Sequence, residues 1–300
     1  MRARPRRHVA LLATLLGLAV PHATTAQDSR AAGRDDAVVS ATSRDPAVHA
    51  DSQRFETLHA LVDRALVSSQ TVEYDRLLSF LDRELTRAPD DPVLHHYRGF
   101  ALFRKASVLA TMNDAITDAV SAGDVADGIA TDDGTIKAMF EAADRALERA
   151  AKGLDWPESL ALRSAAVGQL IAYGGPLAGL RQGPRSMRLL DAALASGPDN
   201  PRVWMLRGIS DLYKPRLMGG SVKKAEASLR RALSLFATDA PAAPAPWWGH
   251  AETHGWLGHT LEKQGKLTEA RAAYAEALAL EPKNAWVREV LLPALDKVTR

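Results

Sequence analysis

Residues 251–284, AETHGWLGHTLEKQGKLTEARAAYAEALALEPKN, hold the pattern that decides the fold. Counted from Ala251, Leu257 and Gly258 stand seventh and eighth, Ala270 twentieth, Tyr274 twenty-fourth, Ala277 twenty-seventh and Pro282 thirty-second. Gly258 and Ala270 are small where two helices would cross. Tyr274 is a knob between them, Ala277 leaves room for a following helix, and Pro282 closes the unit.

The same grammar recurs upstream. Pro89-Asp90-Asp91-Pro92 leads to Arg98-Gly99, Pro198-Asp199-Asn200-Pro201 leads to Arg207-Gly208, and Pro282-Lys283-Asn284-Ala285 is a third version. At each junction a Pro ends one helix, and Pro or Ala occupies the first turn of the next, where a missing N–H costs nothing. A unit from Pro201 keeps Trp204, Gly208, Ala225, Leu229 and Ala232, with extra residues at Tyr213–Gly220. Gly219-Gly220 there suits left-handed backbone, and Ser221 is a good N-cap. Another unit, from about Trp156 to Pro198, places Gly168, Leu190 and Ala193 in register with an enlarged loop at Tyr173–Gly183. A fourth, Pro92 to Gly153, carries a long insertion between Thr111 and Ile136, and residues 52–89 read as a degenerate first pair.

On these residues the chain resembles the tetratricopeptide repeat family. The resemblance predicts an all-α, right-handed α-solenoid over residues 51–300: five helical hairpins with inter-helix insertions, and one capping helix at 285–299. No segment reads as a strand.

Composition narrows the setting. The 300 residues are 46% hydrophobic and 25% charged, with no cysteine, which removes disulfide frameworks, thiol nucleophiles and cysteine zinc sites. Residues 1–26 pair Arg2, Arg4, Arg6 and Arg7 with the apolar run Val9–Val20 and end in Ala-Thr-Thr-Ala. They read as a secretory signal peptide cleaved after Ala26, so a periplasmic or secreted location is expected. Residues 27–50 are polar and aperiodic, and read as a disordered tether. Without those four arginines, 34 basic side chains face 36 acidic ones, a balance from which neither nucleic-acid nor anionic-membrane affinity follows, and no stable membrane insertion is expected after signal cleavage.

Candidate chemistry is sparse. His250 and His254 are one helical turn apart, but Glu252 falls on another face and no third ligand is near in sequence, so no metal is expected. His95 and His96 are adjacent and diverge, one toward packing and one toward solvent. Asp114, Asp118, Asp124, Asp127, Asp132 and Asp133 crowd the Met112–Ile136 insertion without the spacing of a calcium loop. Gly258 to Gly265-Lys266 is spaced too widely for a phosphate loop, and no nucleophile elbow occurs. Neither catalysis nor a cofactor is expected.

The remaining expectation follows from the resemblance. In tetratricopeptide arrays the first helix of each pair lines a concave groove, and the corresponding side chains here include Phe100, Phe103, Arg104, Met205, Ile209, Leu212, Tyr213 and His259. The Lys and Asn of a carboxylate clamp are replaced by His96/Phe100, Met205/Ile209 and Gly255/His259. An apolar groove for a protein or peptide partner is the leading reading, unless the insertions fold back over it. Pro215-x-x-x-Gly219-Gly220 with Lys224-Ala225 also resembles the T-component of TRAP-type transporters, which implies a solute-binding partner or an apolar small ligand. An enzyme with an insertion-lined pocket near His250, Glu252 and His254 is the third alternative.

Overall fold

The computed structural model describes residues 46–122, 130–175 and 177–299, with side chains from residue 52 onward apart from 116–129. The signal-peptide reading lies outside these residues. Among them every regular element is helical. Five hairpins follow in order: α1 (Pro46–Ser68) with α2 (Thr71–Arg87), α3 (Pro92–Ala122) with α4 (Asp133–Gly153), α5 (Pro157–Tyr173) with α6 (Ala178–Ser196), α7 (Pro201–Tyr213) with α8 (Val222–Phe236), and α9 (His250–Glu262) with α10 (Leu267–Leu280). A π-helical turn, Trp286–Leu291, runs into the capping helix α11 (Leu292–Val298). Partners within a hairpin pack on each other, while α3, α5, α7 and α9 touch in succession along one side of the array. Helix α1 begins at Pro46, inside the stretch read as a tether.

The repeated junction works through one side chain. Asp91 Oδ1 accepts from the backbone N–H groups of Val93 and Leu94, at 2.9 and 3.2 Å. Asn200 Oδ1 does the same for Arg202 and Val203, at 3.0 and 3.2 Å. Asn284 Oδ1 accepts from Val287 N–H at 3.1 Å. Each satisfies donors that the start of a helix would otherwise leave unpaired.

The crossings depend on the small residues, with one exception. A Cβ on Gly258 would enter the Tyr274 ring, and one on Gly208 would sit 2.6 Å from Leu229 Cγ. Gly168 is different, because its added Cβ meets only Ser186 Oγ, at 3.7 Å. Gly168→Ala is therefore expected to stabilise the fold by about 0.5–1 kcal/mol, through helix propensity alone. Gly208→Ala should cost about 1–3 kcal/mol by overpacking. Urea melts of the two variants should shift in opposite directions, and a shared direction would contradict these crossings.

The insertions are more helical than the sequence suggests. Helix α3 continues through Ala122, so much of the Thr111–Ile136 excursion extends it. Asn113 fastens the returning chain, donating from Nδ2 to Thr131 O at 2.6 Å and accepting from Thr131 N–H at 2.8 Å. The enlarged loop at Tyr173–Gly183 shrinks likewise, because α6 starts at Ala178 and accommodates Pro184 in its interior. Tyr213–Gly220 does leave the helices, through a 3-10 turn at Arg216–Met218 and a left-handed Gly219 at φ +86°. Gly220 serves by its bareness, since a Cβ there would collide with the Lys214 carbonyl.

Candidate functional site

The array is crossed on its inner side by the connection from Ala237 to Gly249, which the repeat pattern does not anticipate. Asp239 binds the buried Arg202 of α7, with Nη2 to Oδ2 at 2.5 Å. The Pro244 carbonyl accepts from the Tyr97 hydroxyl of α3 at 2.7 Å. Trp247 donates from Nε1 to Asp63 of α1 at 2.8 Å and stacks on His59 at 3.7 Å. Trp248 lies over Phe100, with ring centroids 5.1 Å apart. This strap joins the fourth and fifth hairpins to the first and second. Its signal in the sequence is the run Pro241 to Trp248, with three prolines and adjacent tryptophans.

Beneath the strap lies a cavity of about 260 Å³, walled by α3, α5, α6, α7 and α9 and by the segment Lys214–Met218. Its lining is mostly apolar, with Leu162, Met187, Met205, Met218, Trp248 and Trp256 prominent. Of the eight side chains assigned to a groove, Phe103, Arg104, Met205, Ile209 and Tyr213 line this one space. The other three do not. Phe100 is fully buried beneath Trp248. Leu212 packs partly buried against the core. His259 stands behind Trp256, edge to face at 6.1 Å.

The charges at the cavity are compensated. Arg104 reaches across from α3 to Glu252 of α9, with Nη1 to Oε1 at 2.8 Å, and both are nearly buried. Lys214 pairs with Asp211 at 2.9 Å. Burial raises the Tyr213 phenol above its ordinary range, so its ring stays neutral. The space is suited to an uncharged, apolar group.

The histidines are structural in their contacts. His250 stacks on Phe236 at 5.0 Å and on His254 at 5.6 Å, and burial lowers the pKa of both. Glu252 is turned away from them, toward Arg104. His95 and His96 are both buried, which corrects the expectation that one faces solvent. The reason is that α3 is enclosed on nearly every side, by its neighbours and by the strap. His95 Nε2 bonds the Pro89 carbonyl and His96 Nδ1 the Ser159 hydroxyl, each at 2.8 Å. Among the described residues no group of three or more His, Asp or Glu side chains is placed to hold a metal ion.

The hairpin geometry, the capped junctions and the Gly258–Tyr274 crossing all converge on one repeat type. Residues 251–284 match the tetratricopeptide repeat family model. The tetratricopeptide architecture extends beyond that unit in the fold. The HusA haemophore from Porphyromonas gingivalis superposes with a TM-score of 0.52 at 23% identity, over 71% of this chain and 93% of its own. A thermophilic tetratricopeptide-repeat protein from Thermus thermophilus, TTC0263, gives 0.51 at 22% identity, over 81% and 98%. At these identities the likeness is one of fold. No curated protein matches the chain.

Proposed function

We propose that this protein is an exported, non-catalytic binding scaffold that takes an apolar anchor of a protein or peptide partner into the cavity beneath the strap. The cavity carries the reading. Five side chains that tetratricopeptide register assigns to partner contact converge on it, and its charges are already paired. Its size favours one or two large side chains over a whole helix laid in an open groove. The apolar lining supports a second reading, a compact apolar small molecule, with a volume just below the roughly 300–1,000 Å³ of drug-sized sites. The resemblance to TRAP-type T-components adds a solute-binding protein as a partner to be sought by crosslinking.

Trp248 and Trp256 border the cavity and supply the readout. A neutral apolar fluorophore, 1-aminoanthracene, is expected to quench their emission saturably. Ala165→Phe, placed in the cavity wall, should abolish that quenching while leaving the thermal melt within a few degrees. No saturable quenching in the parent chain, or unchanged quenching in the variant, would refute the cavity as a binding site. Export has its own test. Protein recovered outside the cytoplasm should begin near Gln27 by mass spectrometry, and an intact Met1 there would overturn the cleavage reading.

A further inference from the structure

Two segments that contribute to the cavity wall, the start of α6 with the loop before it and the Tyr213–Gly220 insertion with the start of α8, share an unusual chemistry. Residues 174–190 and 213–225 together contain Arg181, Arg185, Arg188, Lys214, Arg216, Lys223 and Lys224, and no Asp or Glu. Arg185 and Lys214 are taken up by Asp144 and Asp211. The other five cations are exposed and have no ion pair among the described residues.

Apolar side chains stand among them in solvent. Leu180 is 75% exposed, Leu177 67%, and Leu217 wholly so. On α6, Leu180, Arg181, Pro184, Met187 and Arg188 follow helical spacing along one exposed face. The 3-10 turn bearing Leu217 is seated on that helix, because a Cβ on Gly183 would lie 3.0 Å from Met218 Cε. The two segments therefore form one lip.

We infer that this lip docks on a lipid surface rich in anionic phospholipid, with Leu177, Leu180 and Leu217 entering the headgroup boundary. Cations interleaved with exposed leucines meet both requirements of an interfacial anchor: attraction to phosphate and partition of apolar surface. The overall charge balance hides this, since the acidic side chains lie elsewhere. The contact so inferred is peripheral, and no helix of the described residues is long and apolar enough to cross a membrane. It holds this wall of the cavity toward the lipid, and it does not depend on what enters the cavity.

The test is cosedimentation of the full chain with phosphatidylcholine vesicles, with and without about 30% phosphatidylglycerol, at about 0.1 and 0.5 M salt. Binding should need the anionic lipid and weaken about tenfold at the higher salt. Residues 2–20 supply cations and apolar surface of their own, so the variants decide. Leu180→Asp with Leu217→Asp, and separately Arg181→Glu with Lys223→Glu and Lys224→Glu, should each weaken binding about tenfold with unchanged circular dichroism. Variant binding equal to that of the parent, or parent binding to neutral vesicles alone, would overturn the proposal. So would retention on an immobilised polyglutamate peptide without vesicle binding, which would make the lip a site for acidic protein segments.

Discussion

Phe100→Ala is expected to destabilise the protein by about 3–5 kcal/mol, the range for deleting a buried aromatic. Tetratricopeptide register assigns Phe100 to a groove, where truncation would barely alter folding. In the structure it is fully buried, with Trp248 over one side and the Arg104 guanidinium 5.5 Å from its ring centroid. Losing the ring leaves a void under the strap and removes the platform on which the buried Arg104–Glu252 pair rests. Leu217→Ser, at a fully exposed site, should change stability by no more than about 0.5 kcal/mol. Equilibrium urea unfolding of both variants makes the comparison. A cost below about 1 kcal/mol for Phe100→Ala would mean that the strap does not seat on α3.

Acid should destabilise the fold well before the carboxylates titrate. Burial, with the Arg202 charge nearby, lowers the His96 pKa from its ordinary 6.5 to about 3. The groups facing it are Arg202 of α7 and the Ser159 hydroxyl and Glu158 of α5, with Tyr97 and Trp156 edge-on. The folded state thus keeps this imidazole neutral, while the unfolded chain takes up a proton below pH 6.5. Stability is full above that pH and falls as pH drops toward 3, by about 3 kcal/mol at pH 4 from His96 alone. His259 acts in the same direction, its pKa lowered to about 4 by burial and then by Lys263, and contributes less because its shift is smaller. Unfolding free energies at pH 7 and pH 4 should differ by several kcal/mol in the parent chain, and by clearly less in His96→Asn. Equal differences would remove His96 as the cause.

Hairpin number and junctions were legible in the sequence because local chemistry sets them. The Pro-Asp-Asp/Asn-Pro spacing marks each boundary, with Pro92 and Pro201 in the first turn, and Asp91, Asn200 and Asn284 cap the helical turns that follow. The insertions were misread for the opposite reason. Residues 112–122 and 178–183 lack the repeat signature yet consist largely of residues a helix tolerates, and α6 carries Pro184 in its interior. Five of the side chains that register assigns to a groove border the cavity. Phe100 was assigned wrongly, since its burial depends on a strap that arrives from well over a hundred residues downstream. No local pattern encodes that meeting. Exposure of Leu180 and Leu217 was illegible too, as an apolar residue on a short insertion reads as core until its neighbours are placed.

The strap also changes how the array should unfold. In an open repeat protein each unit feels only its neighbours, so ends fray and stability grows nearly additively with length. Here Tyr97–Pro244 and Trp247–Asp63 close the chain over 147 and 184 residues. Such closure raises the mean sequence separation of contacts, which slows folding relative to a string of local hairpins. The first hairpin and the last thereby share a fate. Amide exchange in α1 and α9 should collapse onto one opening free energy, and deleting α1 should loosen the distant end as much as its own.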